Sequence, residues 1–347
     1  MIRKQWFRLF FVLGLTGVLL YVFLRGVDWS EAFRYLKEHV RWGMFLLVIP
    51  LSQIHILTRA WRWKILMVHE KKDVRLYNLA AANAVGFTVS YLFPGRIGEL
   101  VKPLYLARQE KCRSGFAIGT CVVERIFDVF TMCALLGLFL LARPLYITIF
   151  RIQTESIKNL TVLGLIGAGA ATVLLAVSLG FIFFRDKALA LTGAVLRARI
   201  IPERFRSKVL ELLHEFIDGL KFFQSLKTLL AYIGLSFVVW LGIVFFYWVF
   251  FLAFDIRIRF FFLFPYVFLT GVGAAIPTPG MVGGYHAFSK QGMIELFGMN
   301  ANEAGGLTVV FHAVQYIVSC LVGLIFLWID GLTLIQIKRL GRRRPHE

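Results

Sequence analysis

Charge is scarce in this sequence, and acidic charge most of all. Asp and Glu together number 20 in 347 residues, and charged residues of both signs make up 17%. Soluble domains carry about 25% charged residues, so an ordinary water-facing surface is excluded. Cysteines are few: Cys112, Cys121, Cys133 and Cys320, with no C-x-x-C pair. That excludes a disulfide framework and a cysteine metal site, and three of the four lie in or beside apolar runs as small hydrophobes. There is no H-E-x-x-H, no P-loop and no G-x-S-x-G. No small-residue cleavage site follows the first apolar run, where Arg25-Gly26-Val27-Asp28 stands instead, so that run is read as a retained span.

What is present is apolar. Hydrophobic residues reach 59%, and Phe alone occurs 35 times, more than a soluble core can hold. The formal net charge is +19. The basic residues sit between apolar runs, as anionic lipid and the positive-inside rule require. With no soluble module, nucleic-acid binding is excluded as a function.

A membrane-spanning helix needs about 20 mostly apolar residues. Candidates fall at 7–24, 42–58, 78–107 (broken at Pro94-Gly95), 115–142, 160–184, 228–254, 260–297 (broken at Pro277-Thr278-Pro279-Gly280) and 304–329. With the N-terminus inside and each broken segment returning to its own side, the inside segments 1–8, 59–77, 108–113, 185–227 and 338–344 hold 26 basic residues. The outside segments 25–41, 143–159, 255–259 and 298–303 hold 9. The bias places both termini in the cytoplasm, in a bacterial-type inner membrane. Within 185–227, Phe205, Val209, Leu213, Phe216, Leu220 and Phe223 recur at helical spacing. That pattern fits a helix on the cytoplasmic surface and equally one packed on the cytoplasmic loops.

The two broken segments resemble each other. Pro94-Gly95-Arg96-Ile97-Gly98 and Pro279-Gly280-Met281-Val282-Gly283 share P-G-x-(Ile/Val)-G at an offset of 185 residues. Under this topology the first enters from inside and the second from outside, an inverted repeat. The expected fold class is therefore all-α: a polytopic membrane helix bundle of about 8 spans plus two broken, re-entrant hairpins. It forms a single transmembrane domain over 1–347. The first repeat is about 1–184, the amphipathic linker about 185–227, the second repeat about 228–335 and the basic tail 336–347. Pro-Gly breaks free backbone groups that lipid cannot satisfy. Each also starts a half-helix, whose N-terminus suits an anion, and paired broken helices in inverted repeats mark transporters.

Ionisable residues at membrane depth are costly and mark function. Arg96, Glu99 and Lys102 share a face after the first break, and Glu124, Arg125 and Asp128 follow in the next span. As a site, Arg96 beside a helix N-terminus would hold a phosphate, with Gly95, Gly280, Gly283 and Gly284 presenting backbone at the breaks. The same charges also fit a structural ion-pair network joining two helices, and spacing does not separate the two. Polar stripes run along the second span (Ser52, His55, Arg59, Arg62) and the last (Thr308, His312, Gln315, Ser319). His286, just past the second break, and His312 and Gln315 complete the candidate substrate-binding set. No catalytic set, metal site or cofactor is expected.

At these residues the chain resembles the lysylphosphatidylglycerol synthase transmembrane-region family of flippase-like membrane proteins. The resemblance rests on Phe93-Pro94-Gly95-Arg96-Ile97-Gly98-Glu99 with Lys102-Pro103, on Glu124-Arg125 with Asp128, and on Pro277-Thr278-Pro279-Gly280-Met281-Val282-Gly283-Gly284. The family's third stretch usually reads P-x-P-G-G-x-G, so Met281 stands for its second glycine. Tyr285 and His286 stand where many relatives place a glutamate. The resemblance implies a helical bundle with re-entrant elements that moves lipids or lipid-linked anions between leaflets, with anionic membrane lipids as partners. Family members that make aminoacyl lipids add a soluble transferase domain. This sequence ends soon after its last span, so that domain is not expected. The leading expectation is a transporter or flippase for an anionic phospholipid or polyprenyl-phosphate lipid. The alternatives are a membrane-embedded enzyme acting on a lipid headgroup, and a non-catalytic partner of a glycosyltransferase or lipid-transport complex.

Overall fold

The structure, a computed structural model, describes residues 14–93, 96–142 and 225–333, together with isolated positions 162, 165, 169, 172, 173, 176, 215, 218 and 336. The expected span at 160–184, the amphipathic helix at 205–223, most of the basic tail, and Pro94 with Gly95 lie outside the described residues. Among the described residues every regular element is helical. In chain order they are α1 (Gly14–Leu24), α2 (Trp29–His39), α3 (Trp42–Leu51), α4 (Ile54–Met67), α5 (Leu76–Leu92) and α6 (Gly98–Glu110). After these come α7 (Ser114–Leu141), α8 (Leu226–Ala253), α9 (Leu263–Ala275), α10 (Gly284–Phe297) and α11 (Ala301–Ile329).

Helix ends follow local chemistry. Asp28 caps α2 by accepting from the Ser30 and Glu31 N–H groups, and Asn300 caps α11 through Asn302 and Glu303. The α2 helix lies where the sequence reading placed an outside loop. Ala32 and Leu36 on one of its faces are buried, and Gly306 of α11 sits against both. α5 stops at Leu92, because a residue before proline is pushed out of the helical region. Pro50 interrupts the second span, so α3 and α4 meet at a kink and together run Trp42–Met67.

Three described helices are long and apolar enough to cross a membrane: Trp42–Met67, Leu226–Ala253 and Ala301–Ile329. Their exposure inverts the soluble pattern. On α11, Ile317, Leu321, Leu324, Ile325 and Trp328 share an exposed face, with Trp328 82% exposed, while Thr308, His312, Ser319 and Gly323 on other faces are buried. Apolar outside and polar inside is the arrangement of a bundle in lipid. With 28 residues, α7 measures roughly 42 Å at 1.5 Å per residue. Its interior charges keep it out of a hydropathy count.

Two apolar cores organise the bundle. One gathers α4 to α7, with Trp63, Leu66, Val85, Tyr105 and Phe127. The other gathers α8 to α11, with Tyr247, Phe250, Phe251, Tyr266 and Phe311. At the centre is α5, between α4, α6 and α11. Its run Leu79–Gly86 is buried all round, and its small residues admit neighbours closely.

Each break folds its helices back on each other: α5 packs along α6, and α9 along α10. The crossings repeat one device. A Cβ at Gly98 would collide with the Gly86 carbonyl and Ser90. In the second hairpin, a Cβ at Gly273 would lie 2.7 Å from the Gly284 carbonyl oxygen, and one at Gly284 would lie 2.6 Å from that of Gly273. Both crossings therefore need glycine on both sides. Arg96 (φ 53°) and Met281 (φ 61°), matched at the 185-residue offset, both adopt the left-handed conformation that non-glycine residues rarely take. The second break, Pro279–Met281, packs against α5, with Gly280 beside the Tyr91 carbonyl near the end of that helix.

Candidate functional site

Asp128 is the hub of the charged residues. Its Oδ1 accepts from Arg62 Nη1 at 2.8 Å and from Trp240 Nε1 at 3.1 Å. Its Oδ2 accepts from Arg59 Nη1 at 2.8 Å and lies 3.0 Å from Arg125 Nη2. One carboxylate thus ties α4, α7 and α8 together. One turn earlier, Glu124 pairs with Lys102 of α6 and lies 3.6 Å from Arg62 Nη2. Lys102 Nζ also sits 4.2 Å from the centre of the Trp63 ring, and Trp63 is held by its Nε1–H donating to Thr120 Oγ1 at 2.8 Å. Arg62 Nη1 also reaches Ser236 Oγ at 3.3 Å.

The network has two layers. The Arg62 and Glu124 side chains are 0% exposed, and Arg59, Lys102 and Asp128 are close to that. The side chains of Arg96, Glu99 and Arg125 are 25%, 43% and 41% exposed. Arg96 Nη1 pairs with Glu99 Oε1 at 3.2 Å, yet its buried Nε has no hydrogen-bond partner. The inner layer holds three helices in register, and the outer layer faces open space.

That space is a cavity of about 160 Å³. The first break and α6 line it with Arg96, Gly98, Glu99, Leu100 and Lys102. α7 adds Glu124 and Arg125, and α5 adds Asn83 and Ser90. Met281 is contributed by the second break. Leu100 and Val122 line it and are also exposed on the bundle surface, alongside the half-exposed Glu99 and Arg125. α6 begins at Gly98 with no side-chain cap, and Gly98, Glu99 and Leu100 of its first turn line the cavity.

The charge count is unequal. Five cations (Arg59, Arg62, Arg96, Lys102 and Arg125) stand with three carboxylates (Glu99, Glu124 and Asp128), leaving two positive charges uncompensated in the network. Uncompensated charge in a poorly hydrated interior is costly. An anion in the cavity would offset it.

Of the sequence candidates, Arg96, Glu99, Lys102, Glu124, Arg125 and Asp128 come together, all but Asp128 lining the cavity. Gly95 lies outside the described residues. Gly280, Gly283 and Gly284 are not in the cavity wall, which at the second break is Met281. Gly280 (φ 59°) offers its carbonyl to His312 Nε2–H at 3.0 Å. Gly283 (φ 90°) faces Thr16 and Leu19 of α1, and Gly284 forms the α9–α10 crossing. His286 and His312 lie apart from the charges, their rings tilted 56° to each other with centres 4.6 Å apart, and His286 also meets the Phe23 ring edge-on. Gln315 is half-buried on α11. Lys290, on the same helix as His286, donates to the Phe23 and Arg25 carbonyls at 2.8 Å each.

The sequence reading missed Arg59 and Arg62 as network members by counting them among inside-loop charges; both are buried in α4. Their stripe with Ser52 and His55 was the available signal. Trp240, on an apolar span, gave none.

A model of the family described as Lysylphosphatidylglycerol synthase TM region matches residues 5–323, nearly the whole chain. No curated protein and no solved structure matches it.

Proposed function

The chain belongs to the Lysylphosphatidylglycerol synthase TM region family of integral membrane proteins, and from that premise we propose that it is a transporter moving an anionic phospholipid or polyprenyl-phosphate-type lipid between leaflets. One observation carries the reading. A cavity inside the bundle touches both helix breaks and is walled by a network with more cations than carboxylates. The phosphate would rest against Arg96, Arg125 and the N-terminus of α6, with Lys102 behind them. The acyl chains would leave past Leu100 and Val122 into the bilayer, so that only the headgroup crosses through protein.

In this reading the α5–α6 and α9–α10 hairpins are re-entrant and related by inversion. They are supported by the paired glycine crossings and the matched left-handed residues Arg96 and Met281. The halves, about 1–184 and 228–335, form one domain of about eight crossings in a bacterial-type inner membrane. Both termini are cytoplasmic, the side favoured by the loop charges even without Arg59 and Arg62. Inversion suits alternating access, since rocking the halves would open one shared site to either leaflet.

Leaflet exchange of labelled lipids in proteoliposomes is the test, with phosphatidylglycerol and a short polyprenyl phosphate side by side. Wild type accelerates exchange of at least one, and Arg96→Ala, still folded, does not. Exchange no faster than in empty liposomes for both lipids defeats the transport reading.

A further inference from the structure

We infer that the lipid this site takes carries a phosphomonoester headgroup with two negative charges, in preference to a singly charged phosphodiester. The inference rests on the anion-site reading above and narrows it to a ligand class.

Charge carries the argument first. The network around the cavity holds five cations and three carboxylates, and its inner members are almost fully shielded from solvent. A phosphodiester would leave one positive charge uncompensated, whereas a phosphomonoester, with about two charges and three terminal acceptor oxygens, leaves none. Donors supply the second argument. The Arg96 and Arg125 side chains line the cavity and are 25% and 41% exposed, and the start of α6 beside them has no side-chain cap. Three donor sets on one cavity match three oxygens better than the two free oxygens of a diester. The third argument is shape. The cavity is about 160 Å³ and its wall includes the exposed apolar residues Leu100 and Val122, so it fits a compact terminal phosphate whose chain departs past them into lipid.

Phosphatidic acid and phosphatidylglycerol with identical acyl chains isolate this variable. Their binding to the purified full-length protein is compared by native mass spectrometry at about pH 8, where a phosphomonoester is close to fully ionised. Wild type prefers phosphatidic acid by about tenfold or more, the effect of one added charge-assisted contact. Arg125→Gln lowers that preference towards parity. It should fold, since Asp128 retains Arg59 and Arg62. Glu99→Gln removes a carboxylate at the cavity and raises the preference, a gain that misfolding cannot imitate. Equal binding of both lipids by wild type overturns the phosphomonoester inference while leaving the anion site standing. Binding of neither overturns both. Glycerol 3-phosphate competing as strongly as phosphatidic acid shows a soluble phosphate ligand and overturns the lipid assignment.

Discussion

Replacing Asp128 with Asn removes the charge but keeps the shape of the side chain on which α4, α7 and α8 converge. Four donors meet this carboxylate, two of them the buried guanidinium groups of Arg59 and Arg62 at 2.8 Å each. A unit charge pair about 4 Å apart gains roughly 4 kcal/mol at an effective dielectric near 20. Desolvation offsets much of that gain while the pair is intact, and the part due to the cation is not recovered when the carboxylate goes and the cation stays buried. Asp128→Asn should therefore destabilise the protein by about 3–5 kcal/mol. Reversible unfolding in mixed detergent and denaturant reads this directly. Arg59→Met in the Asp128→Asn background should recover at least about 1 kcal/mol, because the second change removes a stranded charge. A loss below about 1 kcal/mol, the value of an exposed pair, or a double variant no better than the single, would refute the ion-pair hub.

Gly98→Ala should disrupt the first hairpin by more than about 2 kcal/mol, since a Cβ there meets backbone that cannot swing away. Gly137→Ala on α7 has open space and should be neutral or gain up to about 1 kcal/mol, so tryptophan-monitored unfolding of the two separates crowding from a general dislike of alanine. At the helix ends outside the apolar segments, the hydrogen bond from Arg113 holds Glu70 below the usual carboxylate range. For Glu110, burial pushes upward, but hydrogen bonds from Lys71, the Arg75 N–H and Asn78 outweigh it, and the group is lowered too. Depressed carboxylates stabilise above their unfolded values and lose that contribution as pH falls through their folded ones. The thermal midpoint should thus be flat above about pH 5.5 and fall below about pH 4.5, near the ordinary Glu value. Glu70→Gln with Glu110→Gln should lower the neutral plateau and flatten the acid limb; an unchanged acid limb counts against these pairs.

Much of this was legible in sequence because membranes force simple patterns. The breaks at Pro94-Gly95 and Pro279-Gly280 announce themselves by proline and glycine inside apolar runs. Charges such as Glu124 and Asp128 are too costly in lipid to be incidental. What stayed hidden had ambiguous local chemistry. Hydropathy falls at Arg59-Ala60-Trp61-Arg62-Trp63-Lys64, which reads as a loop, yet α4 continues to Met67 because Arg59 and Arg62 neutralise carboxylates from α7. The α2 helix was masked by its polar face, although Asp28 three residues before Glu31 is a helix-start signal. The glycine cradles at the second break could be recognised as backbone devices, but only contacts between distant segments show that Gly283 meets α1 and Gly284 meets α9. The partnership of Trp240 with Asp128 spans 112 residues and leaves no trace in either neighbourhood.

The most direct test is an electron cryomicroscopy structure of the protein in nanodiscs containing phosphatidic acid. The expected result is phosphate density within hydrogen-bond distance of Arg96 and Arg125 at the start of α6, with acyl density leaving between Leu100 and Val122. A cavity holding only acyl chains, with lipid phosphates confined to the ends of the bundle, would contradict the anion site.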